Sequence, residues 1–592
     1  MGLLQRAVET YDAASSWAGV IRADHEPLAP IGHTLTSANL EITLDARGEF
    51  LTARKVDKSE PKILIPVTEE SGGRTRAAAA HPLCDQLKYV APGQEKEHDL
   101  YLTELQHWAS SAYSHPFLSA IYAYVSRGTV LTDLMESGAV TLDAKGKYDE
   151  KLVCWRVEGV EGQEPACWKN RALMDAFGQY YCARISARSP ALCMIEGKMA
   201  PPALQHPRGI IPVNGKAKLI SANDDAGFTY RGRFSADEQA ATVGYAASQK
   251  AHNALRWLAS EQGVRDFVGN RVFLCWNPQG KRLLKPIGRI RNNDAPPEFQ
   301  PSDYRQALQS TMMSFRKDRQ LRGTETAVLA AFDAATTGRL AVTYYNELSL
   351  DMFCNRMQEW DAHCCWYMGQ YGIQAPNLLQ MVECAFGIQR NGALETDDKV
   401  KSQHVQRLLN CKISGGVFPQ DVVQALIQRA SMPLGYDEKI WRRILKTACA
   451  AIQKYRFDTN QGGNEMEWEL DKRDRSFQFG RLLAVMERAE EDFYSRTQET
   501  RQTNAIKNLP EYRQRPLYVF ERVNRMLQQA YLPRIESWQR DRYARLTGEI
   551  FSILREFPEE TMKKSLDENY LMGYELQRNA FFTKKETEKT EE

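Results

Sequence analysis

The chain has 592 residues, 43% of them hydrophobic, a length that calls for about two to four domains with ordinary globular interiors. Its 77 Lys and Arg against 75 Asp and Glu give a formal net charge of +2, which excludes a global electrostatic field as the means of holding an anionic partner. The N-terminus MGLLQRAVETYDAASSWAG holds no long apolar run, and no later stretch reaches the roughly 18–20 apolar residues that span a bilayer. The 12 cysteines sit in contexts such as VFLCWNP around Cys275, as expected of buried, reduced thiols in a cytoplasmic protein.

In chain order, ANLEITLD (38–45) alternates at period two, PKILIPV (61–67) is a short apolar run, and KLVCWRVEG (151–159) alternates again; all three predict strands. RLAVTYYNEL (339–348) reads as the last strand, after which helical spacing dominates. Phe479, Leu482, Leu483, Met486 and Phe493 line one helical face, and Val519, Val523, Met526, Leu527 and Ala530 line another. Such stripes are core rather than cofactor contacts. The expected fold class is α+β: a mixed N-terminal α/β portion followed by an all-α C-terminal helical bundle. RNNDAPPEFQPSD (291–303) and DTNQGGNE (458–465) read as loops or linkers, TKKETEKTEE as a charged tail, and there is no internal repeat.

Two local signals point to phosphate. Between the apolar run at 63–67 and HPLCDQLKYV stand Gly72, Gly73, Arg74, Thr75 and Arg76, where a glycine turn with positive φ would let backbone N–H groups approach an anion while arginine forks grip it. The loop lacks the Gly-Lys-Ser/Thr ending that holds magnesium, so it would bind phosphate without cleaving it; a surface turn with solvated arginines is the alternative. The second signal is local charge. Residues 250–322 carry 14 Lys and Arg against 6 Asp and Glu, and residues 501–545 carry 10 against 4, the latter interleaved with Tyr512, Tyr518, Phe520, Tyr531, Trp538 and Tyr543. Arginine with aromatics suits phosphates and splayed bases, and a solvated helix face with inward aromatics fits the same pattern.

Catalysis finds no comparable support. There is no carboxylate cluster for metal ions, and the His81/Cys84 pair is unpromising because the proline after His81 disfavours a helix there. Cys193 with His206, and His363 with Cys364 and Cys365, lack a second pair of zinc ligands.

Several segments together resemble one family, the large subunit of type I-C CRISPR surveillance complexes (Cascade): the glycine-arginine loop with HPLCDQLKYV, CMIEGKMAPPALQHP (193–207), LISANDDAGFTYRG (219–232), GRLAVTYYNEL, WDAHCCW and LMGYELQRNAFFTKK. The chain departs from the family pattern at Asn214–Lys218, where Lys216 and Lys218 replace small polar residues, and at Trp360–His363, where a Trp-His pair is split. The resemblance implies a non-catalytic subunit without cofactor or metal, organised as a guide-handle and adjacent-motif domain (1–375), a helical connection (376–465) and a bundle similar to the Cascade small subunit (466–592). Its implied partners are CRISPR RNA, target double-stranded DNA, the Cascade backbone and handle-binding subunits, a small helical subunit and a helicase-nuclease effector, with no membrane. It would read a protospacer-adjacent motif, promote R-loop formation and recruit the nuclease, leaving target sequence to the guide. Within that frame the candidate nucleic-acid contacts are Gly72, Gly73, Arg74, Thr75, Arg76, Lys216, Lys218, Phe228 and Tyr230; Lys281, Arg282, Lys285, Arg289, Arg291, Asn292 and Asn293, whose amides suit base edges; and Arg513, Arg515, Arg522 and Arg525. The family's internally translated small subunit would start at Met466, ahead of the Phe479 helix, rather than at Met486 inside it. A nuclease with an unrecognised centre and a pure protein scaffold remain as rival readings.

Overall fold

The computed structural model describes residues 1–21, 25–74, 77–93, 95–141, 151–213, 215–221, 242–261, 263–291, 297–298, 300–334, 336, 338–459 and 469–583. The fold is α+β, with its larger sheets in the N-terminal half and helices dominating the C-terminal half. The chain forms two compact units: Met1–Leu283 with Glu325–Leu348, and Leu284–Thr324 with Ser349–Glu592. Residues 325–348 return to the first unit because strand Thr326–Asp333 pairs with Arg271–Trp276, a long-range pairing that local periodicity does not reveal, whereas segment 284–324 is tied to the helical unit through Ile290–Asp361 and Arg316–Asp351.

In the first unit, strand Leu40–Asp45 pairs antiparallel with Phe50–Lys55 and parallel with Val153–Glu158, in the register Ile42↔Trp155. A parallel pair needs a long crossover, and helices Glu95–Ala109, Pro116–Ser126 and Val130–Glu136 lie within it. Trp108, Phe117, Trp155 and Phe177 are sealed in the resulting core, and Trp155 Nε1 donates to the Leu83 carbonyl at 2.9 Å, so its polar edge is satisfied. A second core lies under the four-stranded sheet ordered Ala341–Ser349, Thr326–Asp333, Arg271–Trp276, Arg265–Val268. Helix Tyr245–Ser260 presents Ala247, Ala251, Ala254 and Leu255 to this core, small residues that permit close packing. A further pair, His33–Thr36 with Ile63–Pro66, is antiparallel.

The second unit is mainly helical, with two small hairpins, Trp366–Tyr367 with Ile373–Gln374 and Ile388–Arg390 with Ala393–Glu395, in a region expected to be free of strands. Asp361 is fully buried; it accepts from Ile290 N at 2.6 Å and faces Lys412 Nζ at 3.4 Å, which also donates to the Gly288 carbonyl at 3.0 Å. Helix Arg475–Thr497 packs on Asn569–Thr583, and its buried Glu487 receives Arg442 at 2.9 Å, Tyr574 Oη at 2.5 Å and Arg578. Burial raises the Glu487 pKa, but Arg578 and Arg442 outweigh it and hold the carboxyl below its usual range. Among the described residues no helix is long and apolar enough to cross a membrane.

Candidate nucleic-acid interface

The stretch after Val67 folds into a short helix, Glu69–Gly73, because Thr68 Oγ1 accepts from Ser71 N at 3.1 Å while Ser71 Oγ accepts from Thr68 N at 3.0 Å. Gly72 and Gly73 therefore close a helix with helical backbone, which corrects the expected positive-φ turn. What Gly73 provides is close approach: a Cβ there would overlap Gln205 Oε1 and stand 3.7 Å from Lys218 Nζ.

Arg74 turns inward. Its guanidinium grips Asp85 with two parallel bonds of 2.8 and 2.5 Å, donates to the Ala79 carbonyl at 2.7 Å and lies over the Tyr89 ring. Thr75 and Arg76 lie outside the described residues, as do Phe228, Tyr230, Asn292, Asn293 and Met466.

Beside this helix opens a cleft of about 370 Å³ lined by Gly72, Gly73, Gln205, Arg208, Gln249 and Arg256, among others. Helix Tyr245–Ser260 contributes a buried polar stripe: Gln249, Asn253 and Arg256 recur at helical spacing, on a face away from Ala247, Ala251 and Ala254. Arg256 donates to the carbonyls of Arg208 at 2.6 Å and Gly209 at 3.1 Å, and burial pushes its pKa down to about 10. Arg208 donates to the Arg74 carbonyl at 3.2 Å and pairs through its backbone with Lys218. Burial lowers the pKa values of Arg208 and Lys218; Arg74 adds to the shift of Arg208, and Arg208 to that of Lys218. Among the described residues neither has a carboxylate partner, and the two carboxylates lining the cleft, Glu26 and Glu69, are already paired with Lys62 and Arg188. The lining histidines His33, His81 and His206 are each pushed by burial to about 4, so they are neutral at pH 7. Desolvated, adjacent cations without counter-ions are costly to hold, and an anion entering the cleft relieves that cost.

A family model described as CRISPR-associated protein (Cas_Csd1) matches residues 10–582. The chain belongs to this CRISPR-associated family. No curated protein matches it. Membership over nearly the whole Csd1 chain agrees with the Cascade-type resemblance carried by the loop and C-terminal motifs.

The remaining candidate residues of this Csd1-family chain are dispersed. Lys216 is exposed on a turn next to Lys218. The track at 281–291 is divided between the units: Lys281, paired with Glu325 at 2.6 Å, and exposed Arg282 belong to the first, whereas exposed Lys285 and Arg291 and half-buried Arg289, which donates to the Ala375 carbonyl at 3.3 Å, belong to the second. In the C-terminal track Tyr512, Phe520 and Tyr543 are core residues, whereas Tyr518 and Trp538 are 54% and 60% exposed. Arg515 and Arg525 are exposed, Arg513 is half-buried, and Arg522 lies over Tyr518 while pairing with Glu511 at 2.5 Å. Arg208, Gln249 and Arg256 were not singled out from sequence; the readable signal for them was the polar stripe at 249, 253 and 256 inside an alanine-rich helix.

Proposed function

We propose that the chain is the non-catalytic large subunit of a type I-C RNA-guided surveillance complex, cytoplasmic and assembled on CRISPR RNA with the Cascade backbone and handle-binding subunits. In this reading it recognises the protospacer-adjacent motif in double-stranded DNA, promotes R-loop formation and recruits the helicase-nuclease. The observation that carries a nucleic-acid role is the cleft lined by Arg208, beside which Lys218 stands at the Gly73 helix end; both cations are desolvated and, among the described residues, without acidic partners, an environment suited to backbone phosphate. Base pairing with the guide then reads the target, so a nearly neutral subunit with local cationic sites suffices. The exposed Tyr518 and Trp538 among Arg515, Arg522 and Arg525 suit stacking and phosphate contacts with a displaced single strand. The track at 281–291, with Asn292 and Asn293, is assigned to the motif duplex.

The test is reconstitution of the complex with and without this subunit, followed by binding of target duplexes with intact and scrambled motifs. Binding should require both the subunit and the motif; equal binding without the subunit contradicts the proposal. Charge reversal across 281–291 should reduce duplex binding while guide RNA is retained. Metal-dependent cleavage by the purified chain would favour the nuclease reading instead.

A further inference from the structure

The cleft of the first unit holds a feature that backbone electrostatics alone leaves unused. Gln249 is 7% exposed, lines the cleft, and has no hydrogen-bond partner among the described residues. Facing the open cleft without such a partner, its two donors and its acceptor are available to a polar ligand edge. The cleft volume, about 370 Å³, lies near the lower end of the range in which small ligands are enclosed, about 300–1,000 Å³. That space suits one nucleotide unit rather than a base pair. Leu35, Val67, Ile210 and Ile211 give the walls apolar surface; Arg208 lines the side nearest the Gly73 helix end, and Lys218 stands just beyond the lining, its Nζ close to Gly73.

We propose that this cleft is a one-nucleotide pocket, in which an unpaired nucleotide sets its phosphate against Arg208 and Lys218 and a base or sugar edge against the amide of Gln249. Arg256 is a positioning residue: by donating to the carbonyls of Arg208 and Gly209 it fixes the segment from which the Arg208 side chain departs. Gly73 lets Gln205 pack against the helix end beside Lys218, since a Cβ there would overlap Gln205 Oε1. The neutral histidines add no positive charge to that of the lysine and arginine side chains. The proposal rests on the reading of the chain as a nucleic-acid-binding subunit and adds a site for a flipped or single-stranded nucleotide, whose phosphate RNA and DNA share.

The test uses the full-length protein and labelled pentanucleotides of uridine and of thymidine, each also made with a central abasic residue, titrated by fluorescence anisotropy between 50 and 200 mM salt. R208Q/K218Q should weaken binding about tenfold or more and lower the log–log salt slope by about 0.7, one single-strand phosphate. R208K/K218R should regain most of the slope. Q249M, close in shape, should weaken intact probes about fivefold or more and leave abasic probes unchanged; the tighter-binding probe series identifies the strand served. If wild-type protein binds but folded R208Q/K218Q, with unchanged Tm, matches it in affinity and slope, the pocket is wrong while the proposed function stands. If wild-type protein binds neither these probes nor target in the assembled complex, the proposed function itself fails.

Discussion

Arg74 and Asp85 face each other through a two-pronged pair in which the carboxylate is fully buried and also accepts from His81 N at 2.7 Å. The arginine next to the glycines thus ties its own segment to the core below it. Removing one partner of such a pair strands the other, a loss of about 3–5 kcal/mol. Arg74→Ala should lower stability by that order in urea unfolding, and Arg74→Lys should recover only part, since it lacks the fork. Weaker nucleic-acid binding with unchanged unfolding would instead make Arg74 a direct contact.

Gly480 and Gly573 mark where the C-terminal helices meet backbone to backbone. A Cβ on Gly480 would overlap the Tyr570 carbonyl, and one on Gly573 the Phe477 carbonyl. Alanine favours a helix over glycine by about 1 kcal/mol, but forcing two packed helices apart costs about 1–3 kcal/mol or more. Gly480→Ala and Gly573→Ala should therefore destabilise, measured by chemical unfolding; stabilisation would show that the helices separate freely.

Glu487→Gln leaves Arg442 and Arg578 without their shared carboxylate. A loss of about 3–5 kcal/mol is expected. Because the folded pKa of Glu487 is depressed, its contribution is present above the unfolded value and is lost as pH falls through the folded one. The wild-type minus variant difference in unfolding free energy should shrink on acidification.

The buried histidines set a second pH dependence. His206 and His252 shift by burial to about 4 and about 3 from 6.5, with Lys218 close to both and His206 stacked against His252. A folded state that resists protonation is fully stable above the unfolded pKa and loses about 1.4 kcal/mol per pH unit for each such histidine between 6.5 and the folded value. Thermal unfolding should move downward from pH 7 to pH 5, and His206→Gln should flatten the slope. An identical slope in the variant would show that His206 titrates normally.

Much of the fold was legible because its signals are local. The stretches at 38–45, 61–67, 151–159 and 339–348 became strands, and the 479–493 stripe became the buried face of Arg475–Thr497. Thr326–Asp333 was not foreseen: TAVLAAFD is alanine-rich and its strand character comes from pairing with Arg271–Trp276. At the site, Gly73 and Lys218 were both named from sequence and the fold brings them together, but Arg208 stands one residue beyond a segment read as ending at Pro207. Its importance arises from burial and from Arg256, neither of which has a sequence pattern of its own. The glycine pair of the bundle escaped notice for a similar reason, since close helix approach involves partners about ninety residues apart.

We propose an internal translation start at Met466 rather than Met486: Met486 is buried within helix Arg475–Thr497, so initiation there would remove Phe477, Phe479, Leu482 and Leu483 from the bundle core. Changing the Met466 codon to leucine should abolish a small co-purifying band and leave the full-length protein intact. Persistence of that band, beginning at Met486 by mass spectrometry, would contradict the choice.

The most direct measurement is photocrosslinking of the assembled guide-loaded complex to target duplexes carrying 5-iodouracil at successive positions in and beside the adjacent motif, with the crosslinked peptides identified by mass spectrometry. The account predicts crosslinks to this chain at motif positions, including peptides from 281–291, and their loss when the motif is scrambled. Crosslinks confined to other subunits, with none on this chain at any motif position, would contradict it.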